Sequence, residues 1–165
     1  MEIKIIDNFF SEETFRNCQQ YSLGNMENKL PTFVTNHLWS NCIVKDSGPI
    51  LVNLLPEENI LSICMRNEIL ERVDTQPLAM AFYYFYPGSH IPWHNDNEYS
   101  MGISVYLNDE WDRDHSGLFV YETENELKAI VPKRNRAVIQ SGHVWHSVTP
   151  TTKNSEIRRS VQLFF

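Results

Sequence analysis

The chain has 165 residues, 42% of them hydrophobic and 12% aromatic, with a formal charge of -7. That length suits one ordinary domain, and the apolar content is too high for a disordered chain. No stretch approaches the ~18 consecutive apolar residues of a membrane span, and the net acidity argues against nucleic acid as a partner.

The opening Met1-Glu2-Ile3-Lys4-Ile5-Ile6-Asp7 meets charge too soon to be a secretory signal, so a cytoplasmic protein is the default expectation. Glu2 to Ile6 alternates weakly, like a short strand. Ser11, with Glu12 and Glu13 behind it, is a natural N-cap for an amphipathic helix running to about Tyr21. Leu30 to Gly48, rich in Asn, Ser and Thr, reads as strand and loop. A second helix is expected from about Pro56 to Val73. Pro56 would be its first residue, and Ile60, Ile63, Ile69, Leu70 and Val73 would form its apolar face. Cys18, Cys42 and Cys64 are an odd set without CxxC spacing, which favours buried free thiols.

From Ala79 onward the texture changes. Short β-branched or aromatic runs fall at Ala79–Tyr86, Ile91–His94, Gly102–Leu107, Leu118–Tyr121, Leu127–Val131, Ala137–Gln140, Trp145–Thr149 and Arg158–Phe165. Pro87-Gly88, Asn108-Asp109, Ser116-Gly117 and Ser141-Gly142 punctuate them. About eight short strands in a row predict a mainly β fold, a sandwich or jelly roll, with the N-terminal helices packed on one sheet. Residues 1–165 are read as one domain, with 1–78 a mixed support region and 79–165 the β-core. Lys133, Arg134 and Arg136 are expected on a solvated face.

Three segments carry chemistry. In Trp93-His94-Asn95-Asp96 the histidine and aspartate are two apart, so on extended chain both face one side and can share a metal. A second imidazole would complete the facial triad of non-haem iron(II) oxygenases. His143 and His146 differ by an odd number of positions and so face opposite ways. His146, inside the apolar strand Trp145–Val148, is the inward one. In the strand from Arg158, alternation puts Arg158, Ser160, Gln162 and Phe164 on one face and Arg159, Val161, Leu163 and Phe165 on the other. The polar face is costly to bury unless it lines a ligand site, and an inward guanidinium can grip a carboxylate through two parallel hydrogen bonds.

Tyr86-Pro87-Gly88, His94-Asn95-Asp96, Tyr106-Leu107-Asn108 with Trp111, His146-Ser147-Val148 and Arg158-Arg159-Ser160 follow one another in this order. Together they resemble the prolyl 4-hydroxylase branch of the 2-oxoglutarate and iron(II)-dependent oxygenases. The resemblance covers about Ala79 to Phe165. It implies a cupin-like double-stranded β-helix in which His94, Asp96 and His146 bind iron(II). Arg158 would hold the distal carboxylate of 2-oxoglutarate, with Tyr106 adding a hydrogen bond and Tyr86 lying near the keto-acid end. Ser160 would line the pocket or hold Arg158. The activity implied uses O2 to hydroxylate a substrate C–H bond, splits 2-oxoglutarate to succinate and CO2, and leaves room for ascorbate as a further cofactor. A prolyl residue in a peptide or protein is the leading substrate. A free amino acid or other small metabolite, or a non-catalytic cupin-like binding module, are the alternatives. Asn36–Gly48, Glu98–Met101 and Asp109–Ser116 are the loops expected to meet substrate.

Overall fold

The computed structural model describes residues 3–28, 32–33, 48 and 50–165. Eleven strands are present among them: β1 Ile3–Ile6, β2 Thr32–Phe33, β3 Ile50–Leu54, β4 Ala79–Phe85, β5 Ile91–His94, β6 Met101–Tyr106, β7 Phe119–Glu122, β8 Leu127–Ile130, β9 Ala137–Ser141, β10 His146–Val148 and β11 Arg158–Phe164. Two helices precede the β-rich half, α1 at Glu12–Glu27 and α2 at Ile60–Val73. The strands form two antiparallel sheets, one ordered β1-β9-β6-β11-β4-β3-β2 and the other β5-β10-β7-β8. This is the expected jelly roll, and all eight strands anticipated beyond Ala79 are there.

Period-two alternation decides what each face of the larger sheet meets. On β4, Met80, Phe82 and Tyr84 join Phe15 and Cys18 of α1 and Leu61, Met65 and Ile69 of α2 in the main core. Ala81, Tyr83 and Phe85 turn the other way and pack with Ile91 and Val148 between the sheets. Val161 and Leu163 of β11 follow the helix side, leaving Arg158 and Gln162 between the sheets. The helices thus cover one face of the larger sheet, and the smaller sheet covers the other.

Several expectations need correcting. Helix α1 is capped by Ser11, whose Oγ accepts from Thr14 N at 3.2 Å, but it runs six residues past Tyr21. Its buried stripe continues there through polar residues, Ser22 and Asn25. The Asn25 amide donates to Asn53 Oδ1 at 3.0 Å and to the Tyr84 hydroxyl at 3.3 Å. Helix α2 starts at Ile60 rather than Pro56, because Asn59 supplies the cap, accepting from Leu61 N at 2.9 Å. Its buried face is Leu61, Met65 and Ile69, while Ile60, Ile63 and Leu70 are exposed. Strand β3 had no counterpart in the sequence reading. Cys18 is buried and Cys64 exposed, both as free thiols. Cys42 and the loop Asn36–Gly48, apart from Gly48, lie outside the described residues.

The basic cluster at 133–136 is committed to ion pairs. Arg136 meets Asp7 through Nε at 2.6 Å and Nη2 at 3.1 Å, and Lys133 adds a contact at 2.8 Å. Arg134 binds Glu12 at 2.7 Å and Asp109 at 3.2 Å. Hydrogen bonds from Arg136 and then Lys133 hold the Asp7 carboxyl well below the usual carboxylate range. A depressed folded-state pKa contributes stability above the unfolded value of about 4, and that stability is lost as pH falls below it. Asp7→Asn is therefore expected to cost about 1 kcal/mol at pH 7, a figure kept low because the pair is partly exposed. Urea unfolding should show the difference between parent and variant shrinking as pH falls from 4 towards 2.

Candidate metal and cosubstrate site

His94 on β5 and His146 on β10 are direct cross-strand partners. Both therefore project from one face of the smaller sheet, and their ring centroids lie 4.1 Å apart. The Nδ1 atoms each meet a backbone carbonyl two residues back, Pro92 O at 2.8 Å for His94 and Val144 O at 2.9 Å for His146. With Nδ1–H donating there, each Nε2 carries the lone pair that can bind a metal. Burial, reinforced by the neighbouring His94, pushes His146 down to about 4, so its imidazole is neutral near pH 7.

Asp96 sits just beyond β5. Its Oδ1 is 3.8 Å from His94 Nε2 and its Oδ2 is 3.7 Å from His146 Nε2. One ligand atom from each of the three residues falls within 4.8 Å of the others, a span that a single metal ion bridges. The backbone holds Asp96 from both sides: its N–H donates to Gly142 O and its carbonyl accepts from Tyr99 N, each at 2.8 Å. His143 points away from this cluster, exposed and 3.0 Å from Asn97 Oδ1. The same parity turns Trp93 and Trp145 outward, where both are exposed.

The three residues line a cavity between the sheets. Phe85, Ile91, Phe119, Val148 and Phe164 supply its apolar wall, and Ser104, Gln140, Gln162 and Arg158 its further polar groups. Arg158 is 2% exposed, and no carboxylate pairs with it among the described residues. Its guanidinium lies over the Phe85 ring at 4.5 Å and the Tyr106 ring at 4.9 Å. Arg158 Nε and Nη1 and the Tyr106 hydroxyl are buried without a hydrogen-bond partner. Burial pushes the Arg158 guanidinium down and the Tyr106 phenol up. Unpaired buried donors of this kind fit an incoming carboxylate, and the two imidazoles with one carboxylate fit iron(II).

The structure thus brings His94, Asp96, His146 and Arg158 to one cavity, with Tyr106 against Arg158. Ser160 is buried on the same strand face and accepts from Gln162 Nε2 at 3.2 Å, while Gln162 Oε1 accepts from Ser104. Tyr86 is not brought in. It packs against the helix-side core, because the even-numbered residues of β4 and its extension face the helices. Tyr83 and Phe85 line the cavity instead. Trp111, in the loop before β7, donates from Nε1 to Ser116 O at 2.9 Å. Gln140 was not anticipated. It lies in the run Ala-Val-Ile-Gln, where a lone glutamine reads as a surface position, and only its direct pairing with a glycine, Gly102, marks it.

Residues 79–165, about half of the chain, match the family model described as the 2OG-Fe(II) oxygenase superfamily. No curated protein sequence matches the chain. Similar solved structures include a Pseudomonas putida prolyl-4-hydroxylase, with a TM-score of 0.79 at 15% identity over 99% of this chain and 92% of that one. A prolyl hydroxylase from Trichoplax adhaerens, in complex with a hypoxia inducible factor oxygen degradation domain peptide fragment, gives 0.77 at 16% identity, covering 99% and 83%. A viral collagen prolyl hydroxylase from Paramecium Bursaria Chlorella virus-1, as a 2OG complex, gives 0.70 at 11% identity, covering 99% and 95%. At these identities the likeness is one of fold. With the matched family model and a cavity whose donors suit iron(II) and a dicarboxylate, the chain belongs to the 2OG-Fe(II) oxygenase superfamily and is an iron(II)- and 2-oxoglutarate-dependent dioxygenase.

Proposed function

We propose that residues 1–165 form one oxygenase domain in which His94, Asp96 and His146 hold iron(II), Arg158 and Tyr106 receive the distal carboxylate of 2-oxoglutarate, and the substrate is a prolyl residue of a peptide. The observation that carries this reading is a buried guanidinium, with Nε and Nη1 unpartnered, in the same cavity as the His-Asp-His cluster. A metal-binding module has no use for that guanidinium, and a hydrolase would leave it without a role. The peptide part is supported by the fold likeness to prolyl hydroxylases, one of which holds a peptide.

Iron(II), when bound, supplies the coupled chemistry: O2 and 2-oxoglutarate give succinate and CO2, and a substrate C–H becomes C–OH. The chain's own residues do the holding and the excluding. Pro92 O and Val144 O fix the imidazole tautomers, so that both Nε2 atoms face the ion. Arg158 anchors the far end of the cosubstrate and so orients its keto-acid end towards the ligand cluster. Gln162 links Ser160 to Ser104 and stiffens the floor beneath it. The apolar wall excludes water, which protects a reactive site from wasteful turnover. Tyr83 is the cavity tyrosine in place of Tyr86.

Anaerobic addition of iron(II) and then 2-oxoglutarate should produce a weak visible charge-transfer band that is lost in His146→Ala. No band in the parent, or the same band in the variant, would refute the site. Succinate release should rise with proline-containing peptides above the rate without substrate. A rise only with free amino acids would overturn the peptide assignment and leave the oxygenase chemistry intact.

A further inference from the structure

Gln140 lies on β9, is 5% exposed and lines the cavity. Its amide nitrogen donates to Asp96 Oδ2 at 2.8 Å and is 3.2 Å from His146 Nε2, the atom that His146 would offer a metal. Gln140 Oε1 is buried without a partner. A Cβ at Gly102, its cross-strand neighbour, would lie 3.3 Å from Gln140 Nε2 and 3.4 Å from its Cγ, so the bare glycine is what makes room for this side chain.

A carboxylate ligand can bind a metal through one oxygen or two. With two imidazoles and one oxygen bound, an octahedral ion keeps three positions open; a second oxygen would take one of them. We infer that Gln140 is a positioning residue that occupies Asp96 Oδ2 and so restricts Asp96 to binding through Oδ1. This inference rests on the metal site proposed above. A metal held at His146 Nε2 would take the place of the longer amide contact, and the 2.8 Å bond to Asp96 is the one on which the inference relies. Partners of this kind, one step out from the ion, typically alter metal affinity by about 10- to 100-fold when removed.

The test is a cobalt(II) titration of the metal-free protein, read by the visible absorption of the bound ion, alongside the thermal midpoint without metal. Gln140→Met keeps the volume and removes the donor. It should weaken cobalt binding about 10-fold or more and alter the cobalt spectrum. The metal-free midpoint should change little, since removal of the unpartnered Gln140 oxygen offsets loss of the bond to the partly exposed Asp96 carboxylate. Gly102→Ala should press on the amide and weaken binding in the same direction. Because both act through one contact, the double variant should be no weaker than Gln140→Met alone. Parent-like cobalt affinity and spectrum in Gln140→Met would overturn the inference, as would a midpoint that falls in step with affinity. Failure of the parent itself to bind cobalt would refute the metal site on which the inference rests.

Discussion

Arg158→Met is expected to leave the metal-free protein as stable as the parent or more so, while weakening 2-oxoglutarate binding at least about 30-fold. Removing one member of a buried, hydrogen-bonded charge pair costs 2–5 kcal/mol, and about 2 kcal/mol corresponds to that factor. Without the cosubstrate the balance is reversed. The guanidinium is buried to 2% exposure with two nitrogens unpaired, and it lies over the Phe85 and Tyr106 rings. A desolvated cation–π contact returns about 2 kcal/mol, less than the several kcal/mol that burying an uncompensated charge costs. Methionine fills much of the same volume without that charge. Arg158→Lys should not restore binding, because an ammonium lacks the planar fork. Thermal unfolding and a 2-oxoglutarate titration monitored through the charge-transfer band check both halves. A midpoint lower by many degrees with unchanged 2-oxoglutarate affinity would defeat the assignment.

Gly142→Ala should be the most damaging small substitution near the site. A Cβ there would lie 1.9 Å from Tyr99 O and 2.6 Å from Asp96 O. Both are backbone atoms, so no side-chain rotation relieves the clash, and the 96–99 turn must move away. That turn carries Asp96, whose N–H donates to Gly142 O at 2.8 Å. Overpacking typically costs 1–3 kcal/mol, and a backbone collision belongs at or above the top of that range. We expect a loss of about 3 kcal/mol or more in urea unfolding, together with loss of cobalt(II) binding. An alanine variant that binds cobalt like the parent would show that the position of Asp96 does not depend on this approach.

Much of this architecture is written locally. The strands beyond Ala79 are short, alternating and fenced by Pro-Gly, Asn-Asp and Ser-Gly pairs, so both their existence and their facing could be read. Parity together with the apolar neighbours on each strand separated His146 from His143 and Arg158 from Arg159, and the structure gives each the facing expected. Tyr86, expected near the keto-acid end from a tripeptide resemblance, lies on the helix side by the parity of β4. Its odd residues face the cavity, and Tyr86 follows the even ones. Helix α2 carries apolar residues on two faces, Leu61–Met65–Ile69 and Ile60–Ile63–Leu70, and only tertiary packing chooses the first. Strand β3 was missed because Ile-Leu-Val-Asn-Leu is brief, although Gly48-Pro49 and Pro56 bound it. Gln140 acquires its partners from residues 44 and 6 positions away, which no local pattern encodes.

The place of β11 has a kinetic consequence. Residues 158–164 lie at the middle of the seven-stranded sheet, paired on one side with β4, 73 to 85 positions earlier, and on the other with β6. Until that segment docks, β4 and β6 each present an unpaired edge, and Arg158 is absent from the cavity. Loop closure over such separations must precede the contacts that reward it, so folding should be slow for a protein of this size, with sheet closure as its late step. The strand that brings the carboxylate anchor is also the one that completes the sheet, so cosubstrate binding and the finished β-core arrive together.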